Sequence, residues 1–569
     1  MKFGLSQYTL DLFFEKVVQK YPDRPSLALV GEKPITYAEF GHKVEQLKFY
    51  LTRIGLKKND KIVILGNSTP NWAIAFMAVT TLGCVAVPVM DEFPEADIEN
   101  ILKHSEATGI FISEFIFQSM DIPSVTKMKV VLSLSDFMPL PDKGEHKNIW
   151  EHIQNLPKKI IKSLDKNPES KKVEIHENDL AEILYTSGTT GQSKGVMLTH
   201  KNLVSNLFEG PDLLGVINEK SVVLTILPMA HAFGSTSAFL SIIYCGSSIF
   251  YLNQKPSPKV LMNAMQKVRP NIIGAVPLVF EKIYHKQILP VITEKKILKL
   301  LSASYIGRKL VYKLVGKKIN KAFGGRLKCA IIGGASLNRE VEIFLRAGGI
   351  PYAAGYGLSE CSPLVTFSSM EAAKIESVGH AITGVKIKIM DPDPMTGIGE
   401  IYVSGPNVML GYYKNEAETK KVFTKDGWFI TGDRGYLDND GFLFIKGRSK
   451  NVIVGSSGEN IYPEVIENKL KESDYVEEAL VYMLNNRLTA RIYPDYNNMQ
   501  NSETEQSVIA NEIEIVLEKI KVETNAQLPP ASRIQKVIEQ TEPFLKTPTN
   551  KIKRAMYVPD YPGSEASVC

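Results

Sequence analysis

Apolar and polar positions along the chain change period several times. Over Leu10–Lys20 the apolar residues Leu10, Phe13, Phe14 and Val17 fall three and four apart, which predicts an amphipathic helix. Short apolar runs at 26–30, Lys61–Leu65, 221–227, 249–252 and 327–332 predict buried strands, with helical stretches between them. Such alternation implies an α/β fold built from layered, mainly parallel sheets. No fixed internal repeat is present.

The stretch 71–90 carries few polar groups and is uncharged through Met90, about the length that spans a bilayer. Gly83 and Pro88 interrupt it, and β-branched residues gather in its second half. The pattern therefore predicts a buried helix over 72–82 and a buried strand over 84–89, both inside the protein. From 399–403 onward the strands shorten, and Asp426-Gly427 and Asp440-Gly441 mark hairpins. A small β-barrel-like subdomain fits that pattern. After Lys450 comes a compact α+β unit with a polar, mobile loop expected at 497–506. The chain is thus divided into a large N-terminal portion, 1–449, and a small, mobile C-terminal domain, 450–569, joined near 448–451.

Composition narrows the class. The 569 residues are 44% hydrophobic and 23% charged, as in an ordinary globular protein. A net charge of +5 is small for this length, and no nucleic-acid motif accompanies it, so no nucleic-acid partner is expected. Cys84, Cys245, Cys329, Cys361 and Cys569 lie far apart without metal-ligand spacing, which suggests free thiols in a reducing compartment. The first residues lack a signal-peptide apolar core. A cytoplasmic location is the expectation.

One loop carries the first chemical signal. Thr186, Ser187, Gly188, Thr189, Thr190, Gly191, Ser193, Lys194 and Gly195 place hydroxyls, glycines and a lysine together behind an apolar run. Glycines admit backbone N–H groups to phosphate oxygens, hydroxyls add donors, and the lysine adds charge. The loop misses the Walker pattern, because Ser193 replaces its last glycine and Gly195 its metal-binding hydroxyl. A phosphate loop of another kind is implied.

That loop resembles the phosphate loop of the AMP-forming acyl-CoA synthetases and other adenylate-forming ligases. The resemblance continues in order along nearly the whole chain. Gly333, Gly334 and Ala335 lie in a stretch similar to the family's adenine-pocket turn. Gly355, Tyr356, Gly357, Ser359 and Glu360 resemble its second nucleotide motif. Asp433 closes a segment similar to its ribose motif, and Arg448 and Lys450 stand in its hinge motif. Lys551, in Thr547-Pro548-Thr549-Asn550-Lys551-Ile552, resembles its terminal catalytic lysine.

The resemblance implies roles. Lys551 would bridge an attacking carboxylate and the α-phosphate of ATP. Thr186, Ser187, Gly188, Thr189, Thr190 and Lys194 would contact phosphates, with Thr186 beside the reacting centre. Glu360 would contact Mg²⁺, and Ser359 would supply a hydroxyl to the nucleotide. Tyr356 would offer its ring to adenine, with Gly333, Gly334, Ala335, Gly355 and Gly357 leaving space. Asp433 would hold the ribose hydroxyls, Arg448 would add a cation, and Lys450 would be the hinge. His231 would stand beside the acyl carboxylate, whereas His200 is read as structural. Gly458, Glu459 and Asn460 resemble the loop lining the coenzyme A path. Two departures from the family pattern are Ser193, where proline is common, and Asn550, where glycine is; asparagine tolerates the left-handed backbone region.

Within the family, Val276-Pro277-Leu278-Val279-Phe280-Glu281-Lys282-Ile283-Tyr284 resembles the long-chain fatty acyl branch, as do Thr547-Pro548-Thr549 and a basic insertion after Ile283. The expected activity is ATP-dependent activation of a fatty or other carboxylic acid, then transfer to coenzyme A. Transfer to an acyl carrier protein is the alternative acceptor. A catalytically silent nucleotide- or acyl-binding protein is disfavoured because Lys551 and Glu360 are both present. Between 295 and 321 there are nine Lys or Arg residues and no acid, interleaved with Ile, Leu, Val and Tyr. They form either a solvated helical face or a surface drawn peripherally to the anionic inner face of a membrane.

Overall fold

The structure is a computed structural model that describes residues 2–140, 173–186, 193–254, 256–369, 371–455, 459–496, 506–547, 551–559 and 561. Two large sheets organise the N-terminal portion. The nine-stranded sheet has at its centre the parallel strands Pro25–Leu29, Ser248–Tyr251, Val222–Thr225, Ile272–Ala275, Cys329–Ile332 and Tyr352–Gly357. The seven-stranded sheet sets Lys61–Leu65, Val85–Val89, Gly109–Ile112, Val130–Ser133 and Leu180–Thr186 in parallel. Helices cover them, and one continuous apolar core runs from Leu5 to Leu443. The α/β reading holds.

The apolar stretch 71–90 folds as the helix Pro70–Thr81 and the strand Val85–Val89. Every residue of the helix from Trp72 onward is buried, as is every residue of the strand. The absence of charge here comes from burial between layers rather than from lipid. Among the described residues no helix is long and apolar enough to cross a membrane.

The region expected to be barrel-like is an open four-stranded antiparallel sheet, Lys386–Met390, Gly399–Ser404, Phe429–Leu437 and Leu443–Arg448. Among the described residues no closed barrel forms. Burial alternates along Gly399–Ser404 and Phe429–Leu437, so one face rests on the main core and closure is not needed to shield it. Both predicted Asp-Gly turns are present, with Gly427 and Gly441 at positive φ.

The C-terminal part has its own core. Strands Val476–Leu484, Arg487–Pro494 and Lys536–Glu539 pack under the helices Pro463–Leu470 and Gln506–Asn525, burying Ile466, Leu470, Val481, Ile492 and Leu517. The loop expected at 497–506 lies outside the described residues except for Gln506, which begins the helix. Cys84, Cys245, Cys329 and Cys361 are buried free thiols, and Cys569 lies outside the described residues.

Candidate active site

Parallel sheets leave a crevice beyond the carboxyl ends of their strands, where the chain turns back into helices. Strands Val222–Thr225, Ile272–Ala275 and Cys329–Ile332 lead into Leu227-Pro228, Val276-Pro277 and Gly333-Gly334, and all of these line one cleft. Its volume is about 2560 Å³. The C-terminal part forms the opposite wall through residues such as Asn451, Glu464, Lys551 and Arg554.

The glycine turn is shaped for close approach. Gly334 has φ +91°, a conformation other residues rarely adopt. A Cβ on Gly333 would come within 3.3 Å of the Phe233 ring. On the next strand, Tyr356 donates its hydroxyl to Asp433 Oδ2 at 2.6 Å, and Arg448 Nε pairs with Asp433 Oδ1 at 2.8 Å. Asp433 N–H donates to the Thr431 hydroxyl at 3.0 Å. The Asp433 carboxylate, which lines the cleft, is thus fixed at both oxygens, and each oxygen has capacity to accept a second hydrogen bond. It raises the pKa of Arg448 by direct attraction. Burial pushes the Tyr356 phenol well above its usual value, with Asp433 adding to the effect.

Glu360 follows from the same strand end. Tyr412 donates its hydroxyl to Glu360 Oε1 at 2.9 Å, which orients the carboxylate and leaves Oε2 available. Among the described residues no cluster of three or more His, Cys, Asp or Glu could hold a metal unaided. One oriented carboxylate fits Mg²⁺ that arrives with phosphates, since that ion takes few protein ligands beside them.

The antiparallel strands Leu180–Thr186 and Lys194–Thr199 pair Thr186 with Lys194, and both residues line the cleft. Ser187, Gly188, Thr189 and Thr190 lie outside the described residues. Lys194 pairs with Glu418 at 2.5 Å and lies 5.2 Å from the centre of the Tyr412 ring. Hydrogen bonds from Lys194 and Lys421 hold the Glu418 carboxyl at about 2.

His231 follows Pro228-Met229-Ala230 at the cleft wall. Its Nδ1 accepts the Phe233 N–H at 3.2 Å, which places the ring proton of the neutral form on Nε2. Burial, with a further push from the Lys551 charge, lowers its pKa to about 4. At neutral pH His231 is therefore an uncharged donor. Beside it the cleft wall turns apolar at Leu227, Phe233, Ile242 and Ile331. His200, read as structural, is buried and accepts the Leu10 N–H on Nδ1 at 3.1 Å.

Lys551 enters from the C-terminal part. Thr547 N–H donates to the Lys551 carbonyl at 2.8 Å, and Lys551 N–H donates to the Thr547 hydroxyl at 3.2 Å, closing a tight loop. The intervening residues 548–550, with Asn550, lie outside the described residues. The Lys551 side chain is open to the water of the cleft while protein surrounds the cleft itself. Burial lowers its pKa, Arg448 lowers it further, and Asp433 and Glu360 oppose both. Lys450 is held at about 8, by burial first and then by Arg448, Lys194, Lys551 and Arg554. Three of these neighbours are themselves paired, Arg448 with Asp433, Lys194 with Glu418 and Arg554 with Glu467.

The segment around Lys450 is anchored on both sides. Ser449 donates its hydroxyl to Glu400 of the N-terminal portion at 2.8 Å. Asn451 bonds to Glu464 and accepts the Tyr561 hydroxyl at 2.7 Å, both on the C-terminal side. Glu459 and Asn460 do not line the cleft, and Gly458 lies outside the described residues. Sequence reasoning missed Tyr412 and Glu418, which position Glu360 and Lys194. No local pattern marks them: Glu418 lies 224 residues from Lys194, and Tyr412 lies 52 from Glu360. Thr431, two residues before Asp433, is part of the motif that marks Asp433.

Comparison with known proteins agrees with this architecture. Residues 14–413 match the family described as AMP-binding enzyme. The chain is 28% identical, over 95% of its length and 84% of the relative's, to the chloroplastic long-chain-fatty-acid–[acyl-carrier-protein] ligase AEE15 of Arabidopsis thaliana. It is 31% identical, over 82% of its length and 75% of the relative's, to long chain acyl-CoA synthetase 4 of the same plant. Among solved structures it shares its fold with ATP-bound MatB from Rhodopseudomonas palustris, at TM-score 0.73 and 21% identity, covering 96% of this chain and 98% of that one.

Proposed function

The chain belongs to the AMP-binding enzyme family, and from that premise we propose that it activates a fatty acid as acyl-adenylate, releases pyrophosphate, and passes the acyl group to coenzyme A. The observation that carries this reading is the meeting of Lys551, Asp433, Arg448, Glu360 and His231 around one cleft.

Two anions must approach for a carboxylate to attack the α-phosphorus, so preorganised positive charge is the main requirement. Lys551 supplies it between the acid and the α-phosphate. Thr186, Ser187, Gly188, Thr189, Thr190 and Lys194 hold the departing phosphates. His231 donates Nε2–H to the acid, neutral and thus without competing for a proton. Asp433 takes the ribose hydroxyls on its free lone pairs, while Tyr356, Gly333, Gly334, Ala335, Gly355 and Gly357 frame adenine and Ser359 reaches the nucleotide. Glu360 is the residue that would hold Mg²⁺, which when bound neutralises phosphate charge. The apolar wall at Leu227, Phe233, Ile242 and Ile331 supports a medium- or long-chain acyl group.

Thioester formation uses a second arrangement of 450–569 against 1–449. Glu459 and Asn460 stand away from the cleft and must turn toward it with Gly458 for coenzyme A to pass. Lys450, between anchors on the two parts, is the pivot. Peripheral contact with an anionic membrane belongs to the same reading, since the substrate is poorly soluble. An acyl carrier protein is the second acceptor, favoured by the relative that carries that name. The test is product formation from ATP and palmitate with free coenzyme A or with holo-acyl carrier protein. Acyl-CoA and AMP in equal amounts are expected; acyl transfer only to the carrier protein would overturn the choice of acceptor.

A further inference from the structure

The basic segment has an outer face that nothing in the described structure covers. It forms two helices, Lys296–Ser302 and Tyr305–Ala322. The longer helix is tied down along one side by Val311, Val315, Gly316 and Ile319, with Gly316 set against the backbone of Gly348. The opposite side carries Ile306, Leu310 and Leu314 at 73%, 58% and 60% exposure. Four-residue spacing places these three in one stripe along the helix. Lys309, Lys313, Lys317 and Lys321 repeat at the same interval beside it. On the shorter helix Ile297 and Leu300 are 76% and 78% exposed. None of the lysines forms an ion pair with a described side chain.

We propose that this face is a docking surface for an anionic lipid bilayer, which places the cleft at the source of its substrate. The inference rests on the fatty acid reading given above. Exposed aliphatic residues gathered in one patch mark an interaction site rather than ordinary surface. Cations beside them select the partner. A nucleic acid or an acidic protein surface would satisfy the lysines and leave the aliphatic stripe in water. A bilayer surface satisfies both, with lipid phosphates at the level of the ammonium groups and acyl chains just beneath. Lysine stems can lie along the apolar layer while their heads stay with the phosphates. The short helix Leu289–Glu294 leads directly into the helix Lys296–Ser302 and contacts it, and its Pro290 and Thr293 line the cleft, so the basic segment adjoins the cleft mouth.

The test is co-sedimentation of the whole protein with phosphatidylcholine vesicles, with and without phosphatidylglycerol. Wild type should pellet with the anionic vesicles at low salt, release as salt rises, and pellet weakly with the neutral ones. The charge variant Lys309→Gln, Lys313→Gln, Lys317→Gln, Lys321→Gln and the stripe variant Ile306→Ser, Leu310→Ser, Leu314→Ser should each bind more than roughly tenfold more weakly. Both should keep wild-type activity on a short, soluble acid. Equal pelleting of all three proteins would overturn the proposal. So would a wild-type dimer, seen by sedimentation velocity, that the stripe variant dissociates without vesicle binding. Vesicle binding needs no catalysis, so a protein that docks but does not activate fatty acids would defeat the functional reading alone.

Discussion

Under the proposed function Lys551 stands between the attacking carboxylate and the α-phosphate, and its removal has a calculable effect. Losing one preorganised charge of this type costs about 2.7–4 kcal/mol in transition-state stabilisation. Lys551→Ala should therefore slow adenylate formation roughly 10²–10³-fold while sparing thioester formation from supplied acyl-adenylate. Rapid-quench measurement of the two half-reactions checks this; equal losses in both would contradict it. A second residue makes a claim about stability. Glu182, on the strand Leu180–Thr186, is fully buried with no hydrogen-bond partner among the described residues at either oxygen, and burial raises its carboxyl to about 8. Its folded pKa lies above the unfolded one, so the unfolded state loses its proton first as pH rises from about 4.5 toward 8. Stability falls across that window. Glu182→Gln should raise stability at pH 7 by up to about 3 kcal/mol and have little effect near pH 4.5. Thermal melts of both proteins across this range measure it; parallel pH profiles would sink the assignment.

At the scale of elements, Ser449 and Asn451 are each held by a different part of the molecule, and Lys450 lies between them. Proline at 450 would restrict φ and remove an N–H. Lys450→Pro should keep ATP–pyrophosphate exchange and lose thioester formation; a variant with both intact would show that the pivot lies elsewhere. The elements themselves were largely legible. Helix Leu10–Lys20 and strand Lys61–Leu65 follow from local apolar period, and Asp440-Gly441 from turn chemistry. The open sheet at 386–448 was not, because strand length and turns do not say whether the outer strands meet. The cleft motifs were legible as short strings whose glycines and hydroxyls are local. Their supports were not. That Tyr412 orients Glu360, Glu418 holds Lys194, and the Tyr356 hydroxyl bonds Asp433 depends on contacts between distant segments, which no periodicity encodes.

For the whole molecule, Lys194, Arg448 and Arg554 are paired with Glu418, Asp433 and Glu467, whereas Lys450 and Lys551 are disfavoured as charges by burial and by the neighbouring cations, and Lys551 belongs to the C-terminal part. Under the proposed function a polyphosphate would offset that penalty and favour the arrangement that brings Lys551 to the cleft, and release of pyrophosphate would restore it. Lys450, held at about 8, is partly deprotonated near that pH and should regain its proton beside phosphate. ATP binding at pH 8 should therefore take up protons, visible by calorimetry in buffers of different ionisation enthalpy, and Lys450→Gln should take up fewer. Equal uptake by both proteins would remove Lys450 from this coupling. The central claim is that the closed cleft makes an acyl-adenylate before any thiol enters. It is tested most directly by fatty-acid-dependent exchange of labelled pyrophosphate into ATP without coenzyme A. Exchange that requires the fatty acid, proceeds without coenzyme A and is lost in Lys551→Ala is the predicted result. Exchange that appears only when coenzyme A is present, or release of ADP and phosphate in place of AMP and pyrophosphate, would contradict it.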